Sequence, residues 1–215
     1  MRIVNYNTDE FSFRVLVSDY LRVISLEDIR SNQGVFRREN DQDTSYHKRF
    51  YELARQGVFQ SLYFKFIMEV VRPLYDESII FQTIPTFRIS FPNNVAVGEW
   101  HKDKDYRDKE WAEAVQEDNF FLPLTDAFDT NTIWSESEED KGDFAPINAK
   151  YGQLIRWDGS SLRHGNKINA TGQTRVSADF RVMTRSNYIP SDKSSINTSI
   201  KFQLDGYYTD INQIV

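Results

Sequence analysis

From Arg175 to Val182 apolar and polar residues alternate without a break. Successive side chains of an extended strand point to opposite faces. Val176, Ala178, Phe180 and Val182 therefore share one side, and Arg175, Ser177, Asp179 and Arg181 share the other. The apolar side requires a packed layer against it. The polar side either faces water or lines a polar cavity. Shorter copies of the pattern occur where Phe87, Ile89 and Phe91 alternate with Arg88 and Ser90, and where Phe120, Leu122 and Leu124 alternate with Asn119 and Phe121. Many short strands of this kind suggest a double-stranded β-helix, or jelly roll.

Ahead of the strands the period is helical. Phe59, Leu62, Tyr63, Phe66, Ile67, Val70 and Leu74 recur at three- and four-residue spacings within Tyr46 to Tyr75, the mark of one buried helix face. Gly57 interrupts that stretch, so two helices fit it as well as one. Nearer the N-terminus, Phe11 to Leu16 reads as a short strand and Ser25 to Asp28 as a helix start with capping-box spacing. Asn40 to Asp43 reads as a polar loop. The expected fold is mainly β with helices: a double-stranded β-helix (jelly roll) core braced by N-terminal helices. The expected division is a single domain over 1–215. Within it 1–77 is an N-terminal strand and helical support, 78–185 the jelly-roll core and 186–215 a C-terminal extension.

With 26 basic and 32 acidic residues the net charge of −6 disfavours non-specific nucleic-acid binding. The absence of cysteine removes disulfides, zinc thiolates and iron–sulfur clusters as options. No apolar h-region follows Met1 to Tyr6, and no apolar run approaches about 18 residues. The expectation is a cytoplasmic protein without a membrane span, acting on a small molecule.

Two of the three histidines carry the chemistry. His101 opens His101-Lys102-Asp103 and His164 opens His164-Gly165-Asn166. Two imidazoles and a carboxylate leave one face of a metal open, which suits Fe(II) oxygenases. The i, i+2 spacing puts His101 and Asp103 on one side of an extended segment. An H-x-D spacing alone arises easily by chance; the strand before Trp100, the glycine after His164 and an in-phase strand arginine give it weight. Arg175, eleven positions after His164, offers a planar fork for the far carboxylate of a 2-oxo acid. His47 has no ligand pattern around it and reads as a surface or packing histidine.

The stretch from His164 to Arg175 resembles the distal-histidine segment of Fe(II)/2-oxoglutarate dioxygenases of the phytanoyl-CoA dioxygenase type. The runs Thr174 to Val182, Asn119 to Thr125 and Thr130 to Trp134 resemble more closely the oxygenase-like proteins of streptomycin-type and other carbohydrate biosynthesis clusters. The resemblance spans roughly residues 85 to 183. It implies that His101, Asp103 and His164 bind Fe(II), that Arg175 and Ser177 hold the C5 carboxylate of 2-oxoglutarate, and that O2 is consumed. It also implies hydroxylation of a small polar metabolite such as a sugar or aminocyclitol, with release of succinate and CO2. The alternatives are a phytanoyl-type hydroxylase of an acyl or amino-acid-derived substrate, and a non-catalytic jelly-roll sugar-binding protein.

Arg88 and Ser90 share a strand face just upstream of the ligand pair and are candidates to line the same pocket; an ordinary polar strand face reads the same way. Asn119 and Thr132 are candidates for the cosubstrate end. Arg181 fits a structural ion pair with Asp179 or a cross-strand acid. By alternation Trp100 points away from the ligand face, and Trp157 is expected to pack. Trp134 fits either core or pocket wall. The acidic segment Ser135 to Asp143 fits a solvated loop or, if it overhangs the site, attraction of a cationic substrate. The charged stretch Lys102 to Glu110, with Tyr106 as its aromatic member, is a candidate closing loop.

Overall fold

The structure is a computed structural model that describes residues 1–31, 43–96, 99–107, 109–195 and 199–214. Of the expected loop at 40–43, residues 40–42 lie outside them. No helix among the described residues is long and apolar enough to cross a membrane.

The architecture is two antiparallel sheets with helices against one of them. The large sheet is seven-stranded. It contains β1 (Arg2–Asn5), β7 (Gln153–Trp157), β4 (Asp118–Pro123), β9 (Arg175–Thr184), β2 (Ile79–Gln82) and β10 (Tyr208–Asp210) in that spatial order, with β3 (Thr86–Ser90) also on β9. β2 and β3 run along the same edge of β9, with Phe81 opposite Val182 and Thr86 opposite Asp179. The small sheet holds β6 (Ala145–Pro146), β5 (Ile133–Ser135) and β8 (His164–Asn166). The segment after residue 186 thus supplies an edge strand, with Tyr208 opposite Gln82.

The expected alternating strands all form, and β9 divides the molecule as its pattern demands. Its apolar side packs with Phe87, Ile89, Phe120 and Leu122 onto the helices. These are α1 (Phe13–Leu21), α2 (Ser45–Ala54) and α3 (Gly57–Phe66). Phe50 of α2 stacks on Phe87 at 4.1 Å between ring centroids, and Phe120 stacks on Phe180 at 5.2 Å. Full burial of each such ring contributes about 1.5–3 kcal/mol, so these layers dominate the cohesion of sheet and helices. The helical stretch is two helices. Gly57 opens α3, which runs on through a π turn at Ile67–Val71 and a 3-10 turn at Arg72–Leu74.

Two N-terminal expectations are corrected. Phe11 to Leu16 is not a strand, because α1 begins at Phe13 and buries Phe13, Val17 and Leu21 at four-residue intervals. Val15, which the strand reading would bury with Phe11 and Phe13, is 55% exposed. Ser25 to Asp28 forms a turn, since Ser25 bonds the Glu27 carboxylate at 2.8 Å, a carboxylate also paired with Arg14 at 2.7 Å. His47 is a packing histidine: fully buried, with Nδ1 2.7 Å from the Oγ1 of Thr44, the N-cap of α2.

The polar side of β9 faces the small sheet. Phe121, Ala127, Ile147, Ala149, Ile155 and Trp157, with Ile133 of β5, fill the space between the sheets. Asn119 lies opposite Arg181, Ser90 opposite Arg175 and Arg88 opposite Ser177. The interior is therefore apolar along β7 and polar along β9.

Candidate metal centre

His101 and His164 are direct cross-strand neighbours. Each backbone amide donates to the other residue's carbonyl at 2.9 Å, and opposed residues of an antiparallel pair put their side chains on one face. Their ring centroids are 4.4 Å apart. Gly165 is needed beside them, since a Cβ there would stand 2.8 Å from Trp100, which covers the outer side of the strand. Asp103 opens a 3-10 turn over Asp103–Tyr106, anchored by its amide donating to the Gly159 carbonyl at 3.0 Å.

Each imidazole is oriented by its Nδ1, which donates to a backbone carbonyl: Glu99 for His101 at 2.9 Å and Leu162 for His164 at 3.0 Å. A carbonyl only accepts, so a proton sits on each Nδ1 and the Nε2 atoms are the ones turned toward Asp103. Asp103 Oδ1 lies 3.3 Å from His101 Nε2 and 3.8 Å from His164 Nε2. The three ligand atoms all lie within 4.8 Å of one another. Neighbouring donors on one metal at about 2.1 Å would be ~3 Å apart, so small rotations bring them onto a common ion. Burial pulls the His164 imidazole down to about 4, against the opposing pull of Asp103, which keeps it in the neutral, ligating form near pH 7. Burial works to raise the Asp103 carboxyl, but Arg181, His101, His164 and Asn119 outweigh it and hold the group well below the usual carboxylate range.

Arg175 is 1% exposed. Its Nε donates to the Asn131 carbonyl at 2.9 Å and its Nη1 to Ser177 Oγ at 2.6 Å. Among the described residues no carboxylate forms an ion pair with it. Burial pulls its guanidinium down to about 10, still cationic at neutral pH. Two further buried polar atoms beside it lack a partner among the described residues, Ser90 Oγ and Asn131 Nδ2. A buried cation without a close ion pair is expensive, and Asp179 acts on this one only as a charge that opposes the effect of burial.

The remaining candidates have partners within the chain. Asn119 does not reach toward Arg175; its Nδ2 donates to Asp103 Oδ2 at 2.7 Å. The Thr132 hydroxyl donates to the Ile147 carbonyl at 2.7 Å. Arg88 lies 3.7 Å from Asp179, an acid raised by burial against the pull of Arg88, Arg181 and Arg175. Arg181 pairs with Asp103 at 2.8 Å and Glu117 at 3.5 Å rather than with Asp179. Trp157 packs, and its ring meets the edge of His164 at 4.7 Å. Trp134 is half-buried beneath the Lys167 ammonium. Tyr106 packs on the His101 ring at 5.1 Å and donates to Glu99 at 3.0 Å.

The carboxylates of the acidic segment all have partners within the chain. Glu136 accepts from the amides of Gly142 and Arg163, Glu138 pairs with Lys141, and Asp143 accepts from Ser137. Glu139 and Asp140 pair with Lys102, and Glu139 also with Lys104. It is a tied surface loop fastened to the segment that carries His101 and Asp103. Sequence reasoning missed Asn131, Glu117 and Tyr207. Only the in-phase spacing of Arg181 with Arg175 signalled that both look into one interior.

No family model matches the chain. The streptomycin biosynthesis protein StrG of Streptomyces griseus is 35% identical over 210 residues, covering 97% of each chain. The chain belongs to the StrG family. That is the branch its motifs resemble. Among solved structures, the chain is similar to CytC3 with Fe(II) and α-ketoglutarate, at TM-score 0.54 and 11% identity over 86% of this chain and 72% of that one. A second CytC3 structure matches at TM-score 0.51 and 13% identity with the same coverage. At such identities the likeness is one of fold.

Proposed function

We propose that this chain is an Fe(II)/2-oxoglutarate-dependent oxygenase whose two sheets form a double-stranded β-helix around the reaction site. The observation that carries the reading is the convergence of His101 Nε2, His164 Nε2 and Asp103 Oδ1 on the interior face that also bears a buried arginine with no ion pair among the described residues. The donor set fits Fe(II): two imidazoles and one carboxylate on one side, with the other side left open. When bound, Fe(II) and 2-oxoglutarate activate O2 to oxidise a substrate C–H bond, releasing succinate and CO2.

The chain's own residues bind and orient. His101, His164 and Asp103 hold the metal, with the imidazoles locked by their Nδ1 hydrogen bonds. Arg175, supported by Ser177, Ser90 and the Asn131 amide, receives the far carboxylate of the cosubstrate, and Arg88 lends positive charge at the same end. Phe121, Ile133, Ile155 and Trp157 keep water from the space between. The substrate class we propose is a small polar metabolite of the sugar or aminocyclitol kind, supported by the relationship to a streptomycin biosynthesis protein.

Anaerobic addition of Fe(II) and 2-oxoglutarate should give a weak visible charge-transfer band that His101→Ala and His164→Ala abolish. A folded wild-type protein with no band would refute the reading.

A further inference from the structure

We propose that Tyr207 and Glu117 hold Arg181 against the rear oxygen of Asp103, making the C-terminal segment part of the frame that fixes the metal carboxylate. The proposal rests on the metal-site reading above. Asp103 Oδ2 accepts from Arg181 Nη2 at 2.8 Å, Arg181 Nε at 3.2 Å and Asn119 Nδ2 at 2.7 Å. Three donors on one oxygen leave Oδ1 as the atom turned toward the two imidazoles. A carboxylate free to rotate can offer either oxygen or both to a metal; one gripped at the rear presents a single oxygen in one direction.

The grip depends on where the guanidinium is held. Arg181 Nη1 donates to the Tyr207 hydroxyl at 2.6 Å, and Glu117 Oε2 lies 3.5 Å from Arg181 Nε. Glu117 is 5% exposed and is fixed in turn by Arg107 Nη2 at 3.2 Å and by the Tyr208 hydroxyl. Asp103, Arg181, Glu117 and Arg107 thus alternate in charge through the interior, each buried ion compensated by the next. Tyr207 and Tyr208 reach this row because their segment is pinned to β2. The Tyr207 carbonyl accepts from the Thr83 amide at 2.9 Å, and Tyr208 pairs with Gln82. Without the Tyr207 hydroxyl, Arg181 keeps two acids to choose between and loses the contact that aims its fork at Asp103.

Arg181 and Tyr207 touch no reacting atom in this account; they are positioning residues. The test is Co(II) binding to the full chain, followed by titration calorimetry and by the visible Co(II) bands, with circular dichroism as the check of folding. The wild type should bind Co(II). Arg181→Gln should lose affinity by about 10- to 100-fold, the usual effect of removing an outer-shell partner, and Arg181→Lys, which restores charge without the fork, should fall between. Tyr207→Phe should weaken binding several-fold and shift the Co(II) bands, whereas Tyr188→Phe, whose hydroxyl accepts from the Leu204 amide at 2.9 Å, should change neither. A folded Tyr207→Phe with wild-type affinity and spectrum overturns the proposal, whether or not Arg181→Gln folds. A wild type that binds no Co(II) overturns the metal-site reading and this proposal with it.

Discussion

Replacing Arg175 by Met separates a structural arginine from one that waits for an anion. The substitution removes two hydrogen bonds from a buried cation, to Asn131 and Ser177, each contributing about 1.5–3 kcal/mol when a charged group is involved. It also relieves the desolvation of a guanidinium that forms no ion pair among the described residues, a penalty of several kcal/mol. These opposing terms are of similar size, so the ligand-free protein should change by no more than about 2 kcal/mol, or ~4–8 °C in Tm for a chain of this length. Cosubstrate binding has no such compensation. Deleting one partner of a buried, two-point ion pair costs about 3–5 kcal/mol, a loss of at least ~100-fold in affinity. With 2-oxoglutarate at 100 times its Kd the Mn(II)-loaded wild type should gain about 2.7 kcal/mol, whereas the variant, left near its own Kd, gains only ~0.4 kcal/mol. Thermal unfolding with and without 2-oxoglutarate should therefore show a shift of roughly 5–11 °C in the wild type and about 1 °C in Arg175→Met. The opposite pattern, heavy destabilisation with the ligand shift intact, would mean that Arg175 is a structural residue and that the cosubstrate binds elsewhere.

Burial, with Arg88 adding to it, lowers His47 to about 3 in the folded chain, against about 6.5 unfolded. The unfolded chain therefore binds the extra proton in that window. The stability associated with neutral His47 is full above pH 6.5 and is lost as pH falls toward 3, with a limiting slope of about 1.4 kcal/mol per pH unit. Urea titrations between pH 4.5 and 6.5 should find that slope reduced in His47→Gln; an unaltered slope would remove His47 from the acid sensitivity. Gly165→Ala would drive a methyl group to 2.8 Å from Trp100, an overpacking worth about 1–3 kcal/mol. A Tm equal to that of the wild type would show that Trp100 yields freely and that the close approach does not constrain the His164 strand.

The parts that were legible in the sequence are those set by local periodicity. β9, β3 and β4 follow from two-residue alternation, and α3 from three- and four-residue spacing, because each pattern reports a single face meeting a single neighbour. α1 was misread because Phe11, Phe13 and Val15 alternate over too short a window to outweigh the longer Phe13, Val17, Leu21 series. Among the site residues, Arg175 and Arg181 were recognisable as sharing one face. Their different fates were not: among the described residues Arg175 forms no ion pair, while Arg181 takes Asp103 and Glu117. Asn119 likewise was readable as pointing inward but not as the donor to Asp103, since that contact is made across the sheet by a turn sixteen residues upstream.

By itself the sequence determined which side chains look inward and which donor types are available to a metal. Both are properties of residue identity and strand phase, and they need no knowledge of what lies opposite. Tertiary structure alone decided the pairings. It set His101 beside His164 through a single antiparallel bridge. It fastened the acidic segment to Lys102 and Lys104 instead of leaving it to meet a substrate. It also brought Tyr207 from the far end of the chain onto Arg181. Such choices depend on which charge loses its water beside which partner, a balance struck only when the sheets close and the local dielectric falls.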